Sequence, residues 1–431
     1  MFLVLLVSIG MLLLICFMFD RGIMSPRIIF CISFFMSALF CVILQDDYQI
    51  NLHIETYFFI LFAMVSFIVG TMFIKPFGRI KNKKIIYKEF FITSKIIYPY
   101  IVLALFSLVT TYQMYSEVIH LVLGGSSISF IDSINNVRGF TLNMMSQTDE
   151  RVLPVWLRLL NNFNVSISYV CFYGFLYNHI FYHFKKYDLL YLFPMITAVL
   201  YYSFIGSRTF VFSYIYFGVA IYFYLKVCKE NYYVANKILC RKMITIIFVS
   251  LIFVYALGTI RSTEDFSILS GIFTHKGGPL AALDYYIMGA VDLDKFPGWP
   301  SSNTLVGIYD TLEMLGAHVP HIYAPAEPIW FPNGVMTNVY TGFMRYHLDF
   351  GYIGMMLILI GQGMLFEYGH QYIITNRNVG FAMILYAMFY KAIFVLSAED
   401  NVLMGFSGQT IFNITSVYIL WRIIMRPRSD I

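Results

Sequence analysis

The chain has little charge: Asp, Glu, Lys and Arg make up only 12% of its 431 residues, while 59% are hydrophobic. That is about half the charged share of an ordinary soluble domain. So few charges would not cover the surface of a water-soluble protein of this size. In lipid the outer face is apolar by requirement, and the shortage ceases to be a problem. The net charge of +5 is then no sign of nucleic-acid binding, since its distribution matters more than its total. Cysteine is scarce as well. Cys16, Cys31, Cys41, Cys171, Cys228 and Cys240 fall in apolar runs or in one basic linker, which excludes a disulfide framework or a zinc site and leaves them as packing residues. The N-terminus lacks the basic stretch and the small-residue cleavage site of a secretory signal, so FLVLLVSIGMLLLICFMF reads as a retained first helix. No Walker A loop, HExxH or GxSxG is present, which removes the familiar ATPases, zinc proteases and serine hydrolases. Internal repeats, low-complexity tracts and a soluble domain are also missing, so residues 1–431 read as a single membrane domain.

What the chain does have is a series of long apolar runs. A spanning helix needs about 20 mostly apolar residues. Runs of that kind occupy about 1–19, 28–45, 57–74, 96–113, 163–183, 189–206, 210–226, 243–260, 349–367, 379–397 and 404–422. The expected fold is therefore all-α, a polytopic integral membrane protein with about 11 transmembrane helices. Orientation follows from lysine and arginine in the loops. The segment KPFGRIKNKKIIYKEFFITSK (75–95) carries seven of them and is assigned to the cytoplasm. Alternation from there puts 20–27, 184–188, 226–242, 368–378 and the C-terminal tail on the same side. These segments hold 20 of the 29 lysines and arginines, against eight on the other side, with Lys391 inside a span. The layout has the N-terminus out and the C-terminus in. Two outer segments are long, 114–162 and 261–337, and the second holds seven of the 13 prolines. Loops of that length are usually lids or binding elements.

Positive charge is disfavoured on the outer side, so each cation there calls for a reason. Arg208 sits in IGSRTF, at the tip of a hairpin between two apolar runs, where it either snorkels to headgroups or offers a planar fork to a phosphate or carboxylate. Arg261 directly follows LIFVYALGTI and reaches the same membrane depth from another helix. Two arginines at one depth are suited to neutralising a lipid-linked diphosphate. In NVYTGFMRYHLDFGYIG (338–354), Arg345 and Asp349 are four apart and share a helix face, as a plain ion pair or as part of a site, while His347 points elsewhere as a base or a structural histidine. Lys391, in AMFYKAIFVLSAEDN, snorkels, pairs with Glu399 or Asp400, or lines a cavity. Asp292-Leu293-Asp294 imitates the D-x-D pair of nucleotide-sugar transferases, but it lies on the wrong side of the membrane for a cytosolic donor and is set aside.

The RGIMSPRIIF turn (21–30), the GSRTF hairpin tip, Arg261 after an apolar helix and NVYTGFMRYHLDFGYIG after a long loop together resemble the Wzy-type O-antigen polymerases, the oligosaccharide repeat-unit polymerase family. The resemblance spans essentially the whole chain. It implies a GT-C-like glycosyltransferase architecture with two long periplasmic loops in the bacterial inner membrane. It implies transfer of a growing glycan from undecaprenyl diphosphate onto a sugar hydroxyl of a new lipid-linked unit, needing no metal and no cofactor. Arg208, Arg261 and Arg345 are then the expected diphosphate contacts, and His347, Asp349 and Glu327 the expected catalytic groups. Arg138, Asn338, Tyr340 and Lys391 are expected to meet substrate. Some members carry an arginine-to-glycine pattern with ten residues between; here Arg208–Gly218 and Arg261–Gly271 have nine, so the arginines are carried over and the pattern is not. Expected partners are the undecaprenyl-diphosphate-linked oligosaccharide, membrane lipids and a chain-length regulator, with no nucleic acid. The rival readings are an O-antigen ligase, transferring glycan to lipid A core, and a lipid-linked repeat-unit flippase.

Overall fold

The computed structural model describes residues 1–20, 22–74, 89–92, 94–122, 153–183, 185–204, 208–242, 245, 273–290, 299–320, 329–334, 336–377 and 380–424. These are overwhelmingly helical. In hydrocarbon every backbone N–H and C=O needs an internal partner, and an α-helix supplies one within its own segment. The helices are α1 (Phe2–Phe19), α2 (Pro26–Tyr48), α3 (Ile54–Phe73), α4 (Ser94–Val122), α5 (Val155–Phe181), α6 (Phe193–Phe204) and α7 (Arg208–Lys229). Then come α8 over 232–242, the short α9 (Gly278–Ile287) and α10 (Val306–Met314), and last α11 (Gly342–Asn376), α12 (Phe381–Val395) and α13 (Gly408–Ile424). One two-stranded antiparallel ribbon, β1 (Ile329–Trp330) with β2 (Met336–Thr337), interrupts the helical pattern in the second long loop.

Among the described residues, five helices are long and apolar enough to cross a membrane: Phe2–Phe19, Pro26–Tyr48, Ile54–Phe73, Ile96–Met114 and Gly342–Asn376. Their outward faces are apolar, as lipid contact requires. On α1, Leu3, Val4, Val7, Met11, Leu14, Ile15 and Met18 are exposed while Leu5, Ile9 and Cys16 pack inward. The run expected as a span over 243–260 lies outside the described residues, apart from Thr245. Helices α4 and α5 extend, as far as Val122 and from Val155, into both ends of the segment expected as the first long loop.

The N-terminal half of α5 is not apolar. Asn161, Asn162, Asn164, Ser166 and Ser168 are all buried there, and they bond between helices instead of to lipid. Asn161 donates to Thr111 of α4 at 2.9 Å and accepts from Ser107 at 2.5 Å, while Asn164 donates to Ser107 at 3.0 Å. Such bonds hold helices together where no hydrophobic force acts between them.

The loops sort to two ends. At one end Ile23 N–H donates to Asn236 (2.9 Å), Tyr232 donates to Asp20 (3.3 Å), and Arg27 pairs with Glu367 (3.5 Å). There too Lys185 pairs with Glu89 (2.6 Å), and Lys229 reaches the Ile180 carbonyl. These contacts gather the segments assigned to the cytoplasm. At the other end His53 meets Asp284 (2.7 Å), Thr304 N–H meets Asp349 (2.7 Å), Gly408 N–H meets Thr311 (2.7 Å) and Gln409 meets Asn162 (2.8 Å). Among the described residues, these contacts run within the groups of loops that charge alone assigns to each side. The positive-inside bias then predicts that reporter fusions after Lys84 and Lys237 read cytoplasmic and that one at Gly298 reads non-cytoplasmic. A cytoplasmic signal at Gly298 would overturn the orientation.

Candidate functional site

The site is built on a break in α11. Its 35 residues would span about 52 Å at about 1.5 Å each, well beyond a hydrocarbon core of about 30 Å. The helix breaks at Gly351, whose φ of 64° and ψ of −170° suit glycine alone. The piece over 342–350 is thereby freed to take its own direction, with Phe343 stacked on Phe34 of α2 at 4.8 Å between ring centres. It carries Arg345, Tyr346, His347 and Asp349. It is seated by Gly342, whose N–H donates to the Leu396 carbonyl at 3.0 Å and whose missing side chain leaves room for Leu396 and Asp400.

Arg345 and Asp349 share a face, as their spacing predicts, and both grip the turn over 301–304. Arg345 donates to the Asn303 carbonyl at 3.1 Å. Asp349 accepts from the Asn303 side chain at 3.0 Å through one oxygen and from Thr304 N–H at 2.7 Å through the other. Tyr346 accepts from Gln362 at 2.6 Å and hydrogen-bonds the carboxylate of Asp400.

The second wall of the site is the turn that follows α12. Asp400 is buried, and it accepts backbone N–H bonds from Val402 (2.8 Å), Leu403 (3.1 Å) and Met404 (3.3 Å). Burial raises its carboxyl above the ordinary range, against the pull of Tyr346 and those N–H groups. Beside it, Glu399 keeps some solvent access. Burial raises its carboxyl as well, and the positive charges of Arg345 and Lys391 draw it back. Lys391 enters from α12 and donates to Ser213 of α7 at 2.8 Å. Ser213 is five residues into α7, so the backbone of Arg208, which opens that helix, lies about 7.5 Å further along its axis. Lys276 approaches the same turn from the loop that precedes α9. Its ammonium lies 3.9 Å from the centre of the Phe394 ring and 3.3 Å from the Phe394 carbonyl. Burial pulls its pKa down to about 7.

The structure therefore brings Arg345, Asp349 and Lys391 to one place, joined by Glu399 and Asp400. His347 faces away from them. Its Nδ1 meets the Tyr286 hydroxyl at 2.8 Å, and its ring lies edge-on to Phe59 and Tyr352. Tyr340 is buried just before α11 and Asn338 is exposed. Arg138, Arg261, Glu327 and the side chain of Arg208 lie outside the described residues. Sequence reasoning named Glu399 and Asp400 only as partners for Lys391, and it passed over Tyr346, Gln362 and Asn303. The signal available was AEDN directly after an apolar run, where two carboxylates close to the membrane invite a reason. Among the described residues no group of three or more His, Cys, Asp and Glu side chains is placed to hold a metal. The arrangement can hold an anion between cations from separate helices and present a carboxylate beside it. Comparison with family models, curated proteins and solved structures finds no match for this chain.

Proposed function

We propose that the chain is a membrane glycosyltransferase of the oligosaccharide repeat-unit polymerase type. In this reading it moves a growing glycan from undecaprenyl diphosphate onto a sugar hydroxyl of a new lipid-linked unit, on the periplasmic face of the bacterial inner membrane. The observation that carries it is the convergence of Arg345 and Lys391, from separate helices, with Glu399 in electrostatic reach of both. Intramembrane and junctional charges default to functional roles because they are costly to keep there.

The chemistry asks for little else. Diphosphate is already a good leaving group, so no nucleophile triad and no ATP are required. Catalysis is mainly the placing of positive charge where negative charge grows, in a poorly solvated pocket whose dipoles are fixed in advance. Arg345 offers a planar fork and Lys391 a point charge, and in this reading Arg208, which opens α7, adds a second fork. These cations take the part a divalent ion would play, so the reading needs no metal. Asp349, with both oxygens held by the 301–304 turn, ties the second long loop to the arginine-bearing helix.

Deleting the gene tests the class. Cells should keep single repeat units on their surface lipid and lose the ladder of longer chains. Complete loss of surface glycan would favour a ligase or a flippase instead.

A further inference from the structure

We propose that Glu399 takes the proton from the attacking sugar hydroxyl. This rests on the glycosyl-transfer reading above and names the group that reading leaves open. The hydroxyl oxygen bonds to the anomeric carbon as the carbon–oxygen bond to diphosphate breaks. The electron pair of that bond leaves on the diphosphate, and the hydroxyl proton passes to a Glu399 oxygen, which later returns it to water.

The other carboxylates of the cluster are committed. Asp349 has both oxygens engaged by Asn303 and Thr304. Asp400, 1% exposed, is filled by three backbone N–H groups and Tyr346. His347 stands two residues from Arg345, about 200° around the helix, and is closed in by Tyr286, Phe59 and Tyr352. Glu399 alone among these combines partial exposure with electrostatic reach of two cations on separate helices. A hydroxyl reaching Glu399 is therefore brought beside the charges that hold the leaving group, which is the near-attack placement such a displacement requires. Its carboxyl, raised by burial, is also a stronger base than an exposed glutamate.

The test uses membranes holding the full-length protein, supplied with a lipid-diphosphate-linked repeat unit across a pH series. The charged groups in reach of Glu399 are Arg345 of α11, Lys391 of α12 and the adjacent Asp400. The wild-type rate should fall on the acid side as Glu399 takes up a proton. Glu399→Gln should lower kcat by roughly 10²–10⁴-fold with KM little changed, and should lose that acid limb. Glu399→Asp, which keeps the carboxylate, should recover part of the rate. A wild-type rate, or an unchanged acid limb, from Glu399→Gln overturns the role of Glu399 and leaves the polymerase reading standing. If Glu399→Gln fails to accumulate in the membrane, Glu399→Asp decides, and a wild-type rate with an unmoved acid limb overturns the role. Failure of the wild type to elongate removes the polymerase reading, and the role of Glu399 with it.

Discussion

Gly363→Leu should leave less than roughly a tenth of the normal amount of folded protein in the membrane, whereas Gly361→Ala, two residues away, should be neutral. The contrast comes from how α3 and α11 cross. A side chain begun at Gly363 would run into the backbone carbonyl of Phe67, with Thr71 N at 3.0 Å and Gly70 Cα at 3.2 Å. One begun at Gly70 would strike the Ile360 carbonyl. The two glycines face one another, and both obstacles are helix backbone, which cannot swing aside as a side chain does. Small residues at a helix crossing let backbones approach closely enough for dispersion to hold them in lipid. Overpacking a tight site costs about 1–3 kcal/mol when side chains can adjust, and more when only whole helices can move. A total stability of about 5–15 kcal/mol leaves little room for that. Gly361 has nothing within 4 Å, so a methyl group there meets open space and gains a better helix former. Thermal unfolding of the solubilised variants, together with their membrane yield, checks the pair. Equal yields for Gly363→Leu and wild type would mean that the α3–α11 crossing is not close-packed.

The sequence was most legible where one physical rule acts locally. Apolar runs gave the helices that can cross a membrane, and the lysine and arginine bias grouped the loops that Ile23–Asn236, Arg27–Glu367 and Lys185–Glu89 draw to one end. It was least legible where a contact joins distant residues. Arg345 and Asp349 were readable as neighbours on one helix face, but their common target, Asn303 and Thr304, lies more than 40 residues away. The break at Gly351 was hidden because DFGYIG offers two glycines and an unbroken apolar pattern, and only the positive φ tells which one bends. Glu399 looked like a counter-charge for Lys391, since spacing along one helix cannot show that Arg345 arrives from another. The polar stripe of α5 was divided, with Asn161 and Asn162 left in the outer loop and Asn164 in a span, because Asn161 and Asn164 find Ser107 and Thr111 only once α4 is packed against it.

Arg345→Ala should lower chain elongation by roughly a hundredfold while the protein remains in the membrane. A hydrogen bond to a charged group contributes about 1.5–3 kcal/mol, and one that tightens as charge gathers on the departing diphosphate is lost from the transition state, at about 1.4 kcal/mol per tenfold. Arg345→Lys keeps the charge but not the fork, so it should recover only part of the rate. Arg208→Ala and Arg261→Ala should fall about as far if all three arginines share the diphosphate, and Arg151→Ala should behave as wild type. The competing explanation is structural, because Arg345 also holds the Asn303 carbonyl at 3.1 Å. Asp349→Ala separates the two, since it frees the same turn by removing the acceptor of Thr304 N–H and leaves the arginine in place. If anchoring the turn is all that Arg345 does, Asp349→Ala and Arg345→Ala should damage the glycan ladder equally, and Arg345→Lys should gain nothing over alanine. If Arg345 holds the leaving group, Asp349→Ala should be milder, and its loss should fall on KM and protein yield while that of Arg345→Ala falls on kcat.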